Sequence, residues 1–153
     1  EDVHFPDVIN GVVPVLESKA LIKKICINNR VPERMPLIKG DHNRLSQIFV
    51  NVLDNAVKFT PEGGRITLDA EEKGVHLVGT VADSDVGIPR EEIQRLGERF
   101  YRVDKTRSRK LGGTGLGLSI VKHLMLAYGG KIEIQSQVGK GTKVSLFFPI
   151  PKA

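Results

Sequence analysis

Two stretches of this chain hold residues whose types and spacing could do chemistry. The first is Asn51-Val52-Leu53-Asp54-Asn55-Ala56-Val57-Lys58-Phe59-Thr60-Pro61. Successive residues of a helix turn by about 100°, so Asn51, Asn55 and Lys58 share one face. An amide oxygen is a good hard ligand for Mg²⁺, which takes a few protein oxygens together with phosphates and water. Lys58 would add a point charge for a phosphate. The second stretch is Gly112-Gly113-Thr114-Gly115-Leu116-Gly117-Leu118-Ser119-Ile120. Its glycines let backbone approach an anion closely, and the helix it opens presents free N–H groups. Between the two lie Asp83 and Gly87-Ile88-Pro89. A carboxylate only accepts, so Asp83 suits the exocyclic amine of adenine and rejects the carbonyl of guanine. In this order the pieces predict a Mg-ATP site.

Taken singly, each piece has a plainer reading: a solvated helix face, a common glycine turn, a turn-forming Asp before a Gly. The glycine run is not a Walker A loop, because no Gly-Lys-Ser/Thr follows. Nor is it a dinucleotide fingerprint, because it follows no convincing strand and comes late in the chain.

Several elements must position these residues. Val8, Ile9, Val12, Val13 and Leu16 follow helical spacing, with Asp7 near the start. Pro14 falls inside that pattern and predicts a kink, or a helix that begins near it. Residues 25–28 and 37–39 read as short strands flanking a proline-bearing loop. Asp41 can cap the next helix. There Leu45, Ile48, Phe49, Val52, Leu53 and Ala56 form one apolar stripe, separate from the Asn51 face. Residues 66–70 and 75–81 predict a hairpin around Lys73-Gly74. A short helix is expected over 90–96, and a basic, glycine-bounded loop over 97–113. Residues 114–128 predict a helix with Ile120, Val121, Leu124 and Tyr128 on one face, stopped by Gly129-Gly130. A last hairpin joins 132–136 to 142–149. The order predicts an α+β two-layer sandwich, with about three helices on one face of a mixed, mostly antiparallel sheet.

The chain has 153 residues, 40% hydrophobic and 27% charged. That fits a single soluble globular domain over 1–153. Its apolar runs are far shorter than a membrane span, and no signal peptide opens it. Cys26 is the only cysteine, which excludes an internal disulfide. Lying in Ile25-Cys26-Ile27, it is expected to be a buried, inert strand residue. The net charge of +5 is concentrated at Arg99, Arg102, Lys105, Arg107, Arg109 and Lys110. Few aromatics accompany this patch and a glycine loop follows it directly. Triphosphate or partner contact is therefore expected there rather than nucleic-acid binding.

Together these residues resemble the catalytic and ATP-binding domain of bacterial sensor histidine kinases, of the Bergerat type. Residues 41–61 resemble the N box, 83–89 the G1 box, 98–104 the F box and 113–118 the G2 box. Gly139-Lys140-Gly141-Thr142 before a closing strand is also similar to the family. The resemblance implies that Asn55 holds Mg²⁺, with Asn51 and Lys58 near the phosphates. It implies Phe59 beside the adenine, and Asp83 reading its amine with Gly87, Ile88 and Thr142 nearby. Arg102 and Lys105 would reach the terminal phosphates. Residues 97–113 would form the ATP lid, and Gly113, Thr114, Gly115, Leu116, Gly117 and Leu118 its hinge and phosphate-facing end. One position departs: Asp85 stands where the G1 pattern has its first glycine. Asp tolerates positive φ better than most residues, but a carboxylate there would repel phosphate.

Within this superfamily, gyrase-type and mismatch-repair ATPases carry a water-activating Glu one turn before the magnesium Asn. Here Asn51 stands at that position, and an amide is no base at neutral pH. A kinase is expected, with Asn51, Asn55 and Arg102 as catalytic residues. None of His4, His42, His76 or His123 has a His-Glu-x-x-Thr-Pro context. The phosphoacceptor and dimerisation helices are thus expected on another domain, with a response regulator downstream. The resemblance implies a cytoplasmic domain, a membrane reached only through the parent, a homodimeric parent and a monomeric fragment. An anti-sigma type serine kinase and a non-catalytic nucleotide-dependent binding module are the alternatives.

Overall fold

The computed structural model describes residues 1–84, 116–137 and 141–151. The expected short helix over 90–96 and the loop over 97–113 lie outside these residues.

The first helix, α1 (Phe5–Ile22), has Pro6 in its first turn, where the missing N–H is one the helix leaves unbonded anyway. Val8, Ile9, Val12, Leu16 and Ala20 recur at helical spacing and are buried. The helix runs unbroken through Pro14 and does not begin there. The lost donor falls on the exposed side, and buried residues of the stripe flank it on both sides. A backbone turn closes the end of α1, where the N–H groups of Lys23 and Ile25 donate to the Ala20 carbonyl at 3.1 and 2.8 Å. Lys24 there adopts a left-handed φ of 56°.

The second helix, α2 (His42–Phe59), begins where Asp41 accepts from the N–H groups of Asn43 and Arg44 at 2.8 and 3.4 Å. Every residue of its expected apolar stripe is buried, and Val57 joins it. The third helix, α3 (Leu116–Tyr128), buries Val121 and Met125, whereas Ile120 is exposed. The expected face was therefore rotated slightly: 121 and 125 lie one turn apart along its centre, and 120 falls on the flank. Gly129 and Gly130 close α3 by donating to the Met125 carbonyl.

The main sheet has the order β2 (Cys26–Asn29), β4 (Arg65–Lys73), β5 (His76–Asp83), β7 (Gly141–Pro149), β6 (Lys131–Gln137). Only β2 and β4 run parallel. A separate ribbon pairs β1 (Asp2–Val3) with β3 (Ile38–Lys39). The sheet is mixed and mostly antiparallel, as the sequence predicts. Ile66, Leu68 and Ala70 of β4 are buried in alternation, and Leu77, Gly79 and Val81 are buried on the same face of β5, with Val78 buried on the other. In β7 the same face carries Val144, Leu146 and Phe148. These residues meet the helices, and Phe5, Phe49 and Phe148 pack ring against ring at 5.2, 5.9 and 6.0 Å between centroids. Gly79 makes room for this cluster, since a Cβ there would sit 2.7 Å from the Phe5 ring.

Cys26 corrects an expectation. It is exposed, and the buried residue is its neighbour Ile25, 6% accessible. The strand starts at Cys26 on the sheet edge, and alternation turns its side chain outward.

Candidate functional site

Side-chain alternation along β5 places Asp83 on the same face as Leu77, Gly79 and Val81, the face toward the helices. Asp83 and Thr142 are register partners across β5 and β7. The Asp83 carboxylate accepts from the Thr142 backbone N–H at 3.3 Å. Thr142 is buried and Asp83 is half-buried. The carboxylate is thus held at the end of a strand by a donor from the neighbouring strand.

The C-terminal end of α2 reaches the same edge. Gly64 lies between Thr60 and Ser84: a Cβ on it would meet the Thr60 methyl and sit 2.8 Å from Ser84 Oγ. Ser84 Oγ in turn accepts from the Arg65 N–H at 2.9 Å. The last turn of α2 and the end of β5 are therefore packed together. Asn51, Asn55 and Lys58 lie half-buried along this part of α2, off its apolar stripe. Asn51 Nδ2 donates to the Gln47 carbonyl at 3.0 Å, which leaves its amide oxygen outside that bond. Phe59, the last helical residue, is half-buried.

α3 runs antiparallel to α2. Its C-terminal residues Leu124, Ala127 and Tyr128 share a cleft of about 620 Å³ with Arg44 and Ile48 from the N-terminal half of α2. The 13 residues of α3 extend about 20 Å away from this cleft. Leu116, Gly117 and Leu118 are the first turn of that helix. A helix N-terminus offers N–H groups and a positive dipole end to an anion.

The expected site residues Gly87, Ile88, Arg102, Lys105, Gly113, Thr114 and Gly115 lie outside the described residues, as does Asp85. Three residues at this edge were not singled out in the sequence. Ser84 ties β5 to Arg65. Thr60 is fully buried, and its hydroxyl has no hydrogen-bond partner among the described residues. Asp54 lies on the polar face of α2, within 3.3 Å of the Lys58 ammonium. Its spacing four residues before Lys58 was the available signal.

Residues 40–152 match the family described as histidine kinase-, DNA gyrase B- and HSP90-like ATPase. The chain belongs to this family. Among curated relatives, the sensor histidine kinase WalK of Bacillus subtilis is 42% identical over 78% of this chain and 20% of its own length. The phosphate regulon sensor protein PhoR of Pseudomonas aeruginosa is 43% identical over 72% of this chain and 25% of its own. The chain thus spans about a fifth to a quarter of these relatives. Among solved structures, the mycobacterial sensor histidine kinase MprB superposes with a TM-score of 0.80 at 29% identity, covering 97% of this chain and 96% of that one. Full-length ShkA in complex with AMPPNP superposes with a TM-score of 0.85 at 32% identity, covering all 100% of this chain and 31% of that one. The α+β sandwich expected from the order of elements is the fold of these solved structures. Among the described residues no helix is long and apolar enough to cross a membrane.

Proposed function

We propose that this chain is the ATP-binding catalytic domain of a sensor histidine kinase. It binds Mg-ATP and passes the γ-phosphoryl group to a histidine on a separate phosphoacceptor domain, from which a response regulator takes it. The carrying observation is the pairing of Asp83 with the Thr142 N–H beside the α2 end that bears Asn51, Asn55 and Lys58. ShkA, similar over the whole chain, is a structure with an ATP analogue bound.

In this reading the Asp83 carboxylate accepts a hydrogen bond from the adenine amine, oriented for it by Thr142, and rejects guanine. Phe59 flanks the base. By the family resemblance Gly87 and Ile88 would contact the nucleotide beside Asp83, and Gly113, Thr114, Gly115, Leu116, Gly117 and Leu118 would offer N–H groups to the phosphates. Lys58, Arg102 and Lys105 neutralise phosphate charge.

The donor set on α2 fits Mg²⁺. Asn51 and Asn55 offer neutral hard oxygens, and a cation that retains phosphate and water ligands needs only one or two from protein. Asn55 would hold it, and when bound it neutralises charge on the phosphates. Neither Asn51 nor Asn55 can take a proton from water at neutral pH, so the α2 face orients the nucleotide without promoting its hydrolysis. Catalysis is then positioning and charge neutralisation, completed when the phosphoacceptor histidine is brought in line.

The test is calorimetric titration of the chain with a non-hydrolysable ATP analogue, with and without Mg²⁺, on the natural sequence and on Asn55→Ala. Saturable, Mg²⁺-dependent binding that Asn55→Ala weakens at least tenfold is expected. Phosphoryl transfer to a phosphoacceptor domain supplied in trans is expected from the natural chain only. No binding at millimolar analogue would overturn the reading, as would phosphohistidine forming on the isolated chain itself.

A further inference from the structure

Asp54 precedes Asn55 and shares the polar face of α2 with Asn51 and Lys58. Its two carboxylate oxygens hold two different ammonium groups. Oδ2 lies 3.3 Å from Lys58 Nζ, one turn further along the same helix. Oδ1 lies 3.2 Å from Lys19 Nζ, which reaches over from α1. The Asp54 side chain is 25% accessible and that of Lys58 40%. Nearby, Lys23 Nζ donates to the carbonyls of Val57 and Lys58 at 2.8 and 3.0 Å. That fixes the backbone from which Lys58 projects, while its side chain keeps its rotamers.

We propose that Asp54 is a positioning residue for the nucleotide site: it parks the Lys58 ammonium and releases it to the nucleotide phosphates. The inference rests on the reading of Lys58 as a phosphate contact. A lysine ammonium is a compact charge on a flexible stem, so it can turn from one anion to another without backbone movement. A triphosphate carries more charge than a carboxylate and wins the competition once bound. Lys19 makes the exchange easy. When Lys58 leaves, the half-buried Asp54 still has a cation at Oδ1 and is not stranded. The parked pair therefore weakens nucleotide binding by only the modest value of a partly exposed ion pair.

Signs follow for each variant. Asp54→Asn keeps the size and frees Lys58, so affinity for an ATP analogue rises about two- to fivefold. Lys19→Met leaves the Asp54 charge to Lys58 alone and lowers that affinity by a similar factor. Affinity for adenosine, which has no phosphate, stays the same in both. In a Lys58→Met background the gain from Asp54→Asn disappears, because no ammonium remains to release.

The experiment is a titration of the chain with the ATP analogue and with adenosine, followed by NMR, for the natural sequence, each single variant and the Asp54→Asn/Lys58→Met pair. Thermal melts confirm that every variant is folded. A gain for Asp54→Asn that is specific to the analogue and needs Lys58 supports the inference. A gain that persists in the Lys58→Met background means that Asp54 merely repels phosphate, and overturns it. So does an unchanged or weakened affinity in Asp54→Asn. If Lys58→Met alone leaves analogue binding intact, the phosphate role of Lys58 falls and takes the inference with it. Loss of the wider nucleotide reading is distinguishable, because the natural chain would then bind neither ligand.

Discussion

Gly141 packs its bare α-carbon against the backbone carbonyl of Asp83. A Cβ at position 141 would overlap that carbonyl and lie 3.2 Å from Ser84 Cα, and Gly141 has a φ of +108°. The residue that would read the nucleotide base is thus held from below by a glycine on the neighbouring strand. Gly141→Ala must move Asp83 or adopt a backbone angle that L-residues avoid. We expect a stability loss of about 1–3 kcal/mol by urea denaturation. Binding of an ATP analogue should fall by more than the unfolded fraction explains. Unchanged binding in the folded variant would show that the Asp83 carboxylate does not depend on this contact.

Thr60 presents the opposite situation, a buried hydroxyl with nothing to bond among the described residues. Its methyl faces Gly64, and a valine would preserve that contact. An unsatisfied buried polar group is unfavourable, whereas an apolar group of the same shape is not. Thr60→Val is therefore expected to stabilise by about 0.5–1 kcal/mol, raising the melting temperature by about 2–4 °C. Nucleotide affinity should not change. A drop in affinity with stability intact would mean that the hydroxyl finds its partner in the bound nucleotide.

Lys24 offers a second stabilising change. It ends α1 in the left-handed region at a φ of 56°, the position where glycine is favoured. Its ammonium lies 3.7 Å from Glu62, with both side chains well exposed, so that pair contributes little. Lys24→Gly should raise stability by about 0.5–1 kcal/mol in urea titration. The turn bonds from Lys23 and Ile25 to Ala20 remain. A loss of stability would show that the Lys24 side chain does more for the fold than its strained backbone costs.

What was legible in the sequence depended on how locally it is encoded. The α2 stripe and the Asp41 cap lie within one segment, so period and cap chemistry defined that helix, and the polar face with it. The partnership of Asp83 with Thr142 is set by strand register between distant segments, and only the family resemblance pointed to it. Cys26 was misread because an apolar triplet looks alike in a central and an edge strand, and sheet order decides which it is. The helix does not begin at Pro14, because the local penalty of the proline is outweighed by burial along the whole of α1. Asp54 was passed over because half of its role comes from Lys19 on another helix.

The end of α3 makes a pH-dependent contribution to stability. The Tyr128 hydroxyl donates to the Lys39 carbonyl, and its ring packs edge-on against Phe148 at 5.4 Å. Burial raises its pKa above the ordinary 10.0. A raised tyrosine pKa means that the folded chain holds the proton more tightly than the unfolded chain does. The contribution is then complete below pH 10.0 and is lost as pH rises from there through the folded pKa. Tyr128→Phe removes both the hydrogen bond and the titration. At pH 8 the variant should be less stable by about 1 kcal/mol, the net value of one hydrogen bond. That gap should narrow as pH passes 10.0, because only the natural chain must then keep a phenol neutral. Urea denaturation of the two chains across this range measures the gap directly. A gap that stays constant with pH would show that Tyr128 titrates alike in the folded and unfolded states, so its burial would leave the phenolate solvated.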